Sequence, residues 1–350
     1  MSKTVKRMER IMSLDIIRII AICAVVMIHA SAACVAQNSP KSLSFVIGNL
    51  FDSISRLGVP LFFMISGALM LNETKEISFE RIVKKYVLNS LFLLFLWSFL
   101  YAILEELLVP LLEGKKILIL KFLKAVVWGH YHLWFLFAII GLYLITPILR
   151  LFVKKENKKY IEWFVLLGIV FEFFPKLMSN YCAYVEEFFD KFCMGFVSQY
   201  VIYYIIGWYV TQVGVPKSFR KMLYILGAFG LIITIVGTQI LCLAKGKYTE
   251  DSSMYSNFSL NILLYSCAVF VFLYYSFFNR RSSGIVTYFS ELTFGIYLIH
   301  PAIQSVVGKL LTVDSAAIFI SVSFFTSIIV SAIITAIMRK IPIVKTFVKG

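Results

Sequence analysis

Charge is scarce in this chain. Only 15% of its 350 residues are Asp, Glu, Lys or Arg, against 60% apolar residues and a mean hydropathy of +0.86. Ordinary soluble domains are about 25% charged, so an assembly of two or three soluble domains is excluded and a membrane protein is expected. Acids are scarcer than bases, 19 against 34, for a net charge of +15. The basic residues are spread over short loops, where they complement an anionic lipid leaflet, so the charge calls for no nucleic-acid partner. Cysteine is limited to six positions with no CxxC pair, which removes the usual thiol-redox and zinc-ribbon signals. Histidine is limited to four positions with neither HExxH nor H-x3-H spacing, so no metal is expected. There is no low-complexity linker, no convincing internal repeat and no polar stretch long enough for a separate catalytic domain.

Long apolar runs take the place of these missing features. Ten runs of about 20 residues lie near 14–35, 44–71, 83–108, 132–153, 160–175, 196–213, 222–244, 258–278, 285–308 and 315–338. The fifth and sixth are weakest, because Glu172 interrupts one and the other is short. The expected fold is all-α: a polytopic integral membrane protein of about ten transmembrane helices in one domain over 1–350. With the amino terminus inside, the loops assigned to the cytoplasm hold most of the Lys and Arg, including Lys154, Lys155, Lys158, Lys159, Arg339, Lys340, Lys345 and Lys349. Both termini are therefore expected to be cytoplasmic.

Met1 to Arg10 is basic and precedes an apolar core ending in Ala30-Ser31-Ala32, which imitates a cleavable signal peptide. Asp15 and Arg18 inside that core, and the run beyond Ala32, favour a retained first helix. Between the third and fourth runs, apolar residues of Ile117 to Trp128 alternate with Lys121 and Lys124 at helical spacing, as in a helix lying on the membrane surface. Cys182 and Cys193 fall in one outer loop, either as a disulfide or as two unpaired thiols. The other four cysteines read as small apolar helix residues.

Ionisable residues inside apolar helices are costly, roughly 2.5–3.5 kcal/mol each at the helix centre, and mark working sites. The first run contains Asp15, Arg18 and His29. A helix places Arg18 and His29 on one face about 16 Å apart, with Asp15 one turn below Arg18. The second run contains Asp52 and Arg56 at i, i+4, either an ion pair that fixes packing or a cation left near mid-membrane to bind an anionic or carbonyl group. Pro60 and Gly67 then bracket a segment where the helix kinks or lets another backbone approach, and Ser66 is a hydrogen-bond donor between them. His132 and His300 join His29 in the outer half of the membrane, whereas His130 reads as interfacial. Arg81, Lys84 and Lys85 stand at the inner mouth of the third run.

The blocks Ser13-Leu14-Asp15-Ile16-Ile17-Arg18 with Arg18-x10-His29, Val59 to Gly67, His132-Leu133-Trp134-Phe135-Leu136, Gly141 to Pro147 and Phe294 to Pro301 occur in one order along the chain. Together they resemble the acyltransferase 3 family of bacterial integral-membrane acyltransferases, in its compact single-domain branch that contains O-acetyltransferases of surface polysaccharides. The resemblance implies transfer of an acyl group, usually acetyl, from cytoplasmic acetyl-CoA or another acyl-CoA to a hydroxyl of a glycan or lipid-linked sugar, in the bacterial cytoplasmic membrane. It also implies that the Arg-x10-His pair is catalytic, which falls on Arg18 and His29. A basic R-x-x-R motif at the CoA end has its nearest match in Arg81-Ile82-Val83-Lys84, followed by Lys85. Lysine there keeps charge and loses the bidentate guanidinium fork.

On this reading His29 is the general base for the acceptor hydroxyl. Arg18 orients the donor or stabilises charge, and Asp15 fixes its guanidinium by an ion pair. Arg56, held by Asp52, stabilises the oxyanion. His132 and His300 bind the acceptor or assist proton transfer, and Ser66 is a hydrogen-bond donor to the oxyanion or the substrate. The competing class is a polysaccharide or lipid-precursor transporter or flippase that uses the same charges as a pathway, with inverted repeats of broken helices as its signature.

Overall fold

The computed structural model describes residues 11–195, 199–249, 254–278 and 280–349. The basic segment Met1 to Arg10 and the start of the 196–213 run lie outside the described residues. Within them the chain is helical, with a single isolated β-bridge between Ile11 and Arg281. In hydrocarbon no water can satisfy backbone N–H and C=O groups, so apolar runs of this length close their hydrogen bonds internally as helices.

The helices in chain order are α1 (Met12–Gln37), α2 (Leu43–Ser55), α3 (Gly58–Met70), α4 (Phe79–Leu112), α5 (Ile119–Trp128), α6 (Trp134–Phe152), α7 (158–178), α8 (Ala183–Asp190), α9 (200–213), α10 (Lys217–Lys245), α11 (Leu260–Ser276), α12 (Gly284–Leu310) and α13 (Ala316–Lys340). Six stretches are long and apolar enough to cross a membrane: Met12–Gln37, Leu43–Met70, Phe79–Leu112, Ile119–Phe152, Lys217–Lys245 and Ala316–Lys340. The other apolar runs are also helical. They are either shorter, as in Leu260–Ser276, or carry polar residues such as Ser290, Glu291 and Thr293 in Gly284–Leu310.

Two interruptions follow from proline and glycine. Pro60 has no N–H for the carbonyl four residues back, and the helix breaks at that point, Arg56–Leu57, leaving α2 and α3 as separate pieces. Gly129, at φ +76°, ends α5, and the chain turns through 130–133 into α6. Ile119–Trp128 is thus the expected amphipathic helix, with Phe122 against Phe99 of α4 (centroids 6.1 Å) and Lys121 3.6 Å from Glu106.

Helix α1 is central and touches α2, α3, α11, α12 and α13. On α13, Ser323, Ser327, Ser331 and Thr335 recur every fourth residue and are all buried, the small-residue stripe that lets membrane helices come close. The tightest crossing joins α3 to α9. A Cβ on Gly67 would lie 1.7 Å from the Tyr204 carbonyl oxygen, and one on Gly207 would lie 1.9 Å from that of Met64. Gly67 therefore does what the sequence suggested, admitting another backbone beside Ser66. None of the six cysteines forms a disulfide, Cys182 and Cys193 included.

Candidate active site

The polar residues of α1 reach two separate places. At one end Arg18 donates from Nη1 to Ser290 Oγ of α12 at 3.1 Å and lies 3.5 Å from Asp15 Oδ1. Ser290 in turn donates to the same Asp15 oxygen at 2.6 Å, so the i, i+3 pair expected from the sequence is tied across to a second helix. Asp15 is buried, whereas the Arg18 side chain keeps 27% of its surface exposed and can meet a ligand. Ser66 donates to the Phe62 carbonyl at 2.9 Å, and Tyr143 of α6 faces both Ser66 and Arg18. The Tyr143 ring meets Tyr86 of α4 at 5.6 Å, and the Lys85 ammonium stands 5.7 Å from the centre of the Tyr86 ring. A line of aromatic and polar groups thus leads from the first turns of α4 to Arg18.

Those first turns carry the expected cations at the surface. Arg81, Lys84 and Lys85 are exposed, Lys84 pairs with Glu80 at 2.6 Å, and Ser78 caps the helix by accepting the Arg81 N–H at 3.2 Å. The loop before them is pinned by Arg150, whose guanidinium donates to the carbonyls of Met70 (2.5 Å), Asn72 (3.2 Å) and Lys75 (2.5 Å). Burial, with the charges of Arg150 and Arg81 nearby, lowers the Lys75 pKa, a sign of how densely cations crowd this loop. A cavity of about 250 Å³ opens there beside Glu73, Arg150 and Lys154.

At the other end of α1 all four histidines meet. The half-buried His29 ring lies 5.3 Å from His300 and 5.4 Å from Tyr131, centroid to centroid, and His132 is 6.0 Å from His300. Tyr297 donates to the His132 carbonyl at 2.7 Å and Tyr101 to that of Leu298 at 2.8 Å, locking α6, α12 and α4 around the rings. Pro301 opens the α12 ladder one turn earlier. His300 Nδ1 donates back to the Ile296 carbonyl at 3.0 Å, beside the Tyr297 carbonyl that Pro301 leaves without a helical donor. His130, expected at the interface, joins the cluster: its ring stacks on Tyr101 at 4.2 Å, and its Nδ1 is 2.6 Å from His132 Nδ1.

Besides the His300 and Tyr131 rings, Arg56 and His130 lie within electrostatic range of His29. Arg56 Nε and Nη2 both reach Asp52 Oδ1 at 2.5 Å, and its guanidinium covers the Tyr255 ring at 4.0 Å. Asp52 is 1% exposed and the Arg56 side chain 20%. The ion pair expected from the i, i+4 spacing is present, with the carboxylate locked in the packing and the guanidinium partly exposed.

The structure therefore gathers His29, His132, His300 and Arg56 at one end of α1. Asp15, Arg18 and Ser66 gather at the other, with Arg81, Lys84 and Lys85 beyond them. Sequence reasoning missed Ser290, Tyr143, Tyr255, Glu105 and the role of His130. Ser290 had a signal, a polar Ser-Glu-Leu-Thr start to an apolar run. The tyrosines had none, because aromatics are common in membrane helices. Among the described residues no three His, Cys, Asp or Glu side chains converge as metal ligands.

An ionisable helix with a fixed cation at one end and a titratable cluster at the other suits group transfer between two ligands that enter from opposite ends. No curated protein and no solved structure matches the chain. The profile of the acyltransferase domain family, however, matches residues 11–337. With nearly its whole length covered by that match, this multi-helix membrane protein belongs to the acyltransferase domain family, acyltransferase 3.

Proposed function

We propose that the protein transfers an acyl group, acetyl being the simplest, from cytoplasmic acyl-CoA to a hydroxyl of a cell-surface polysaccharide or lipid-linked glycan, with His29 as general base. The observation that carries this reading is the half-buried His29 imidazole, within electrostatic range of the Arg56 guanidinium, on the same helix as the fixed Arg18. The reading includes about ten spans, both termini in the cytoplasm and a place in the bacterial cytoplasmic membrane.

The donor enters from the Arg18 end. Arg81, Lys84, Lys85 and the neighbouring Lys75 hold its phosphates, and the line through Tyr86 and Tyr143 guides its thin arm inward. Arg18 orients the arm, held by Asp15 and Ser290, with the Ser66 hydroxyl beside it. His29 takes the proton of the acceptor hydroxyl as that oxygen attacks the thioester carbonyl carbon. Arg56 donates to the oxyanion that develops there. The carbon–sulfur bond breaks, His29 returns the proton to the departing sulfur, and the products are an ester and a thiol. His132 and His300 bind the acceptor.

The test is direct. Purified wild-type protein should move radiolabel from acetyl-CoA to an envelope glycan, and folded His29→Ala should lose at least about 10²-fold of that rate. Full retention of activity in His29→Ala would remove the mechanism.

A further inference from the structure

A cavity of about 320 Å³ opens at the histidine end of α1, between α4, α5 and the turn at Gly129. Small-ligand pockets run from about 300 to 1,000 Å³, so it has room for one compact ligand. Its walls include Glu105 and Glu106 of α4 and, in the turn, His130 and Tyr131. The two glutamates stand on Ile103–Leu108, where α4 takes the wide i→i+5 turn of a π-helix. Such a turn holds more residues than an α-turn, so neighbouring side chains are splayed less and both carboxylates reach the same space.

Each carboxylate already has a basic neighbour. Glu105 Oε1 lies 3.0 Å from His130 Nε2, and Glu106 Oε2 lies 3.6 Å from the Lys121 ammonium. The second contact is too long for a hydrogen bond, and among the described residues the Glu106 carboxylate accepts none. Yet only 20% of the Glu106 side chain is exposed. A carboxylate so covered needs donors, and here they come from water or from a ligand. Tyr131, by contrast, is 58% exposed and gives the cavity an aromatic face, while the same ring lies edge-on to His29 at 5.4 Å between centroids. Acceptor oxygens beside an open aromatic face match a sugar, which carries donating hydroxyls round its rim and C–H groups on its faces.

We propose that this cavity is a glycan subsite, in which Glu105 and Glu106 accept hydrogen bonds from the hydroxyls of one sugar unit and the Tyr131 ring backs its face. Tyr131 lines the cavity and His29 does not, so the unit held here is the neighbour of the one whose hydroxyl is acylated. That order of units rests on the acyl-transfer reading given above. The sugar site does not.

Full-length protein in nanodiscs should bind tritium-labelled disaccharides released from the envelope glycan. Glu106→Gln, which keeps the shape and loses the charged acceptor, should weaken that binding about tenfold, equivalent to ~1.4 kcal/mol. In the transfer assay Glu106→Gln and Tyr131→Leu should raise KM for the disaccharide about tenfold and erase its advantage over the monosaccharide, with KM for acyl-CoA unchanged. Tyr131→Phe keeps the ring and should recover most of the loss. No binding of the disaccharide to the wild-type protein, or equal binding by Glu106→Gln, would overturn the proposal. So would a loss of monosaccharide and disaccharide use by the same factor, which is what a purely structural role produces. Disaccharide binding that Glu106→Gln weakens, in a protein that transfers no acyl group, would uphold the sugar site and place the failure in the proposed reaction.

Discussion

The two ends of α1 treat buried polarity in opposite ways. At the Arg18 end a formal cation is tied to a buried carboxylate and a serine from another helix, so its charge and position are fixed at any ordinary pH. At the His29 end the groups are imidazoles packed ring against ring with Tyr131 and Tyr101. A fixed cation suits a ligand that is always anionic, such as a phosphate-bearing donor. Titratable rings suit a hydroxyl that must lose a proton during the reaction. Arg56 is the exception that links the two, a fixed cation placed among the rings by its carboxylate partner.

This contrast can be broken most severely at Arg56. Arg56→Ala strands the buried Asp52 carboxylate and should cost about 3–5 kcal/mol of stability. The charge-free double variant Asp52→Asn/Arg56→Gln should regain folding, read by thermal unfolding in detergent, while turnover stays about 10²–10³-fold down. If the double variant turns over normally, Arg56 serves packing alone.

Next in size is the α3–α9 crossing. Gly67→Ala puts a methyl 1.7 Å from the Tyr204 carbonyl, and overpacking of this kind costs about 1–3 kcal/mol. It should lower the unfolding temperature and displace Ser66, hurting the Arg18 end more than the histidine end. An unchanged melting curve would mean that the helices slide apart freely.

Ser290→Ala removes the hydroxyl that donates to Asp15 and accepts from Arg18, and should cost about 1–3 kcal/mol while raising KM for acyl-CoA more than KM for the glycan. The reverse order of effects would exchange the roles of the two ends. Smallest is Lys84→Ala. Lys84 and Glu80 are each 71% exposed, so their pair contributes about 0–1 kcal/mol, and stability should hardly change. Donor affinity should fall measurably only when Arg81→Ala is added, as read by calorimetric titration with CoA.

Much of the site was legible because membrane helices make charge conspicuous. Asp15, Arg18, Asp52 and Arg56 stood out by cost alone, and i, i+3 and i, i+4 spacing predicted the pairs that the structure contains. Pro60 and Gly67 likewise announced a break and a close approach, because each acts through local geometry. What stayed hidden depends on which helices become neighbours. Ser290 gains meaning only when α12 lies against α1. His130 read only as interfacial, and its place beside Tyr101 depends on the turn at Gly129. The span count was less secure for a related reason. Shorter or more polar helices such as Leu260–Ser276 and Gly284–Leu310 lie against other helices, so they need not be apolar all round.

The most direct measurement is mass spectrometry of envelope glycans and lipids from cells that lack the protein, make it, or make His29→Ala. The expected result is an added acyl mass on a glycan hydroxyl in the second sample alone, which would also name the acyl group and the acceptor. Acylation that persists with His29→Ala, or identical glycans in the first two samples, would contradict the assignment of acyl transfer to the histidine end of α1.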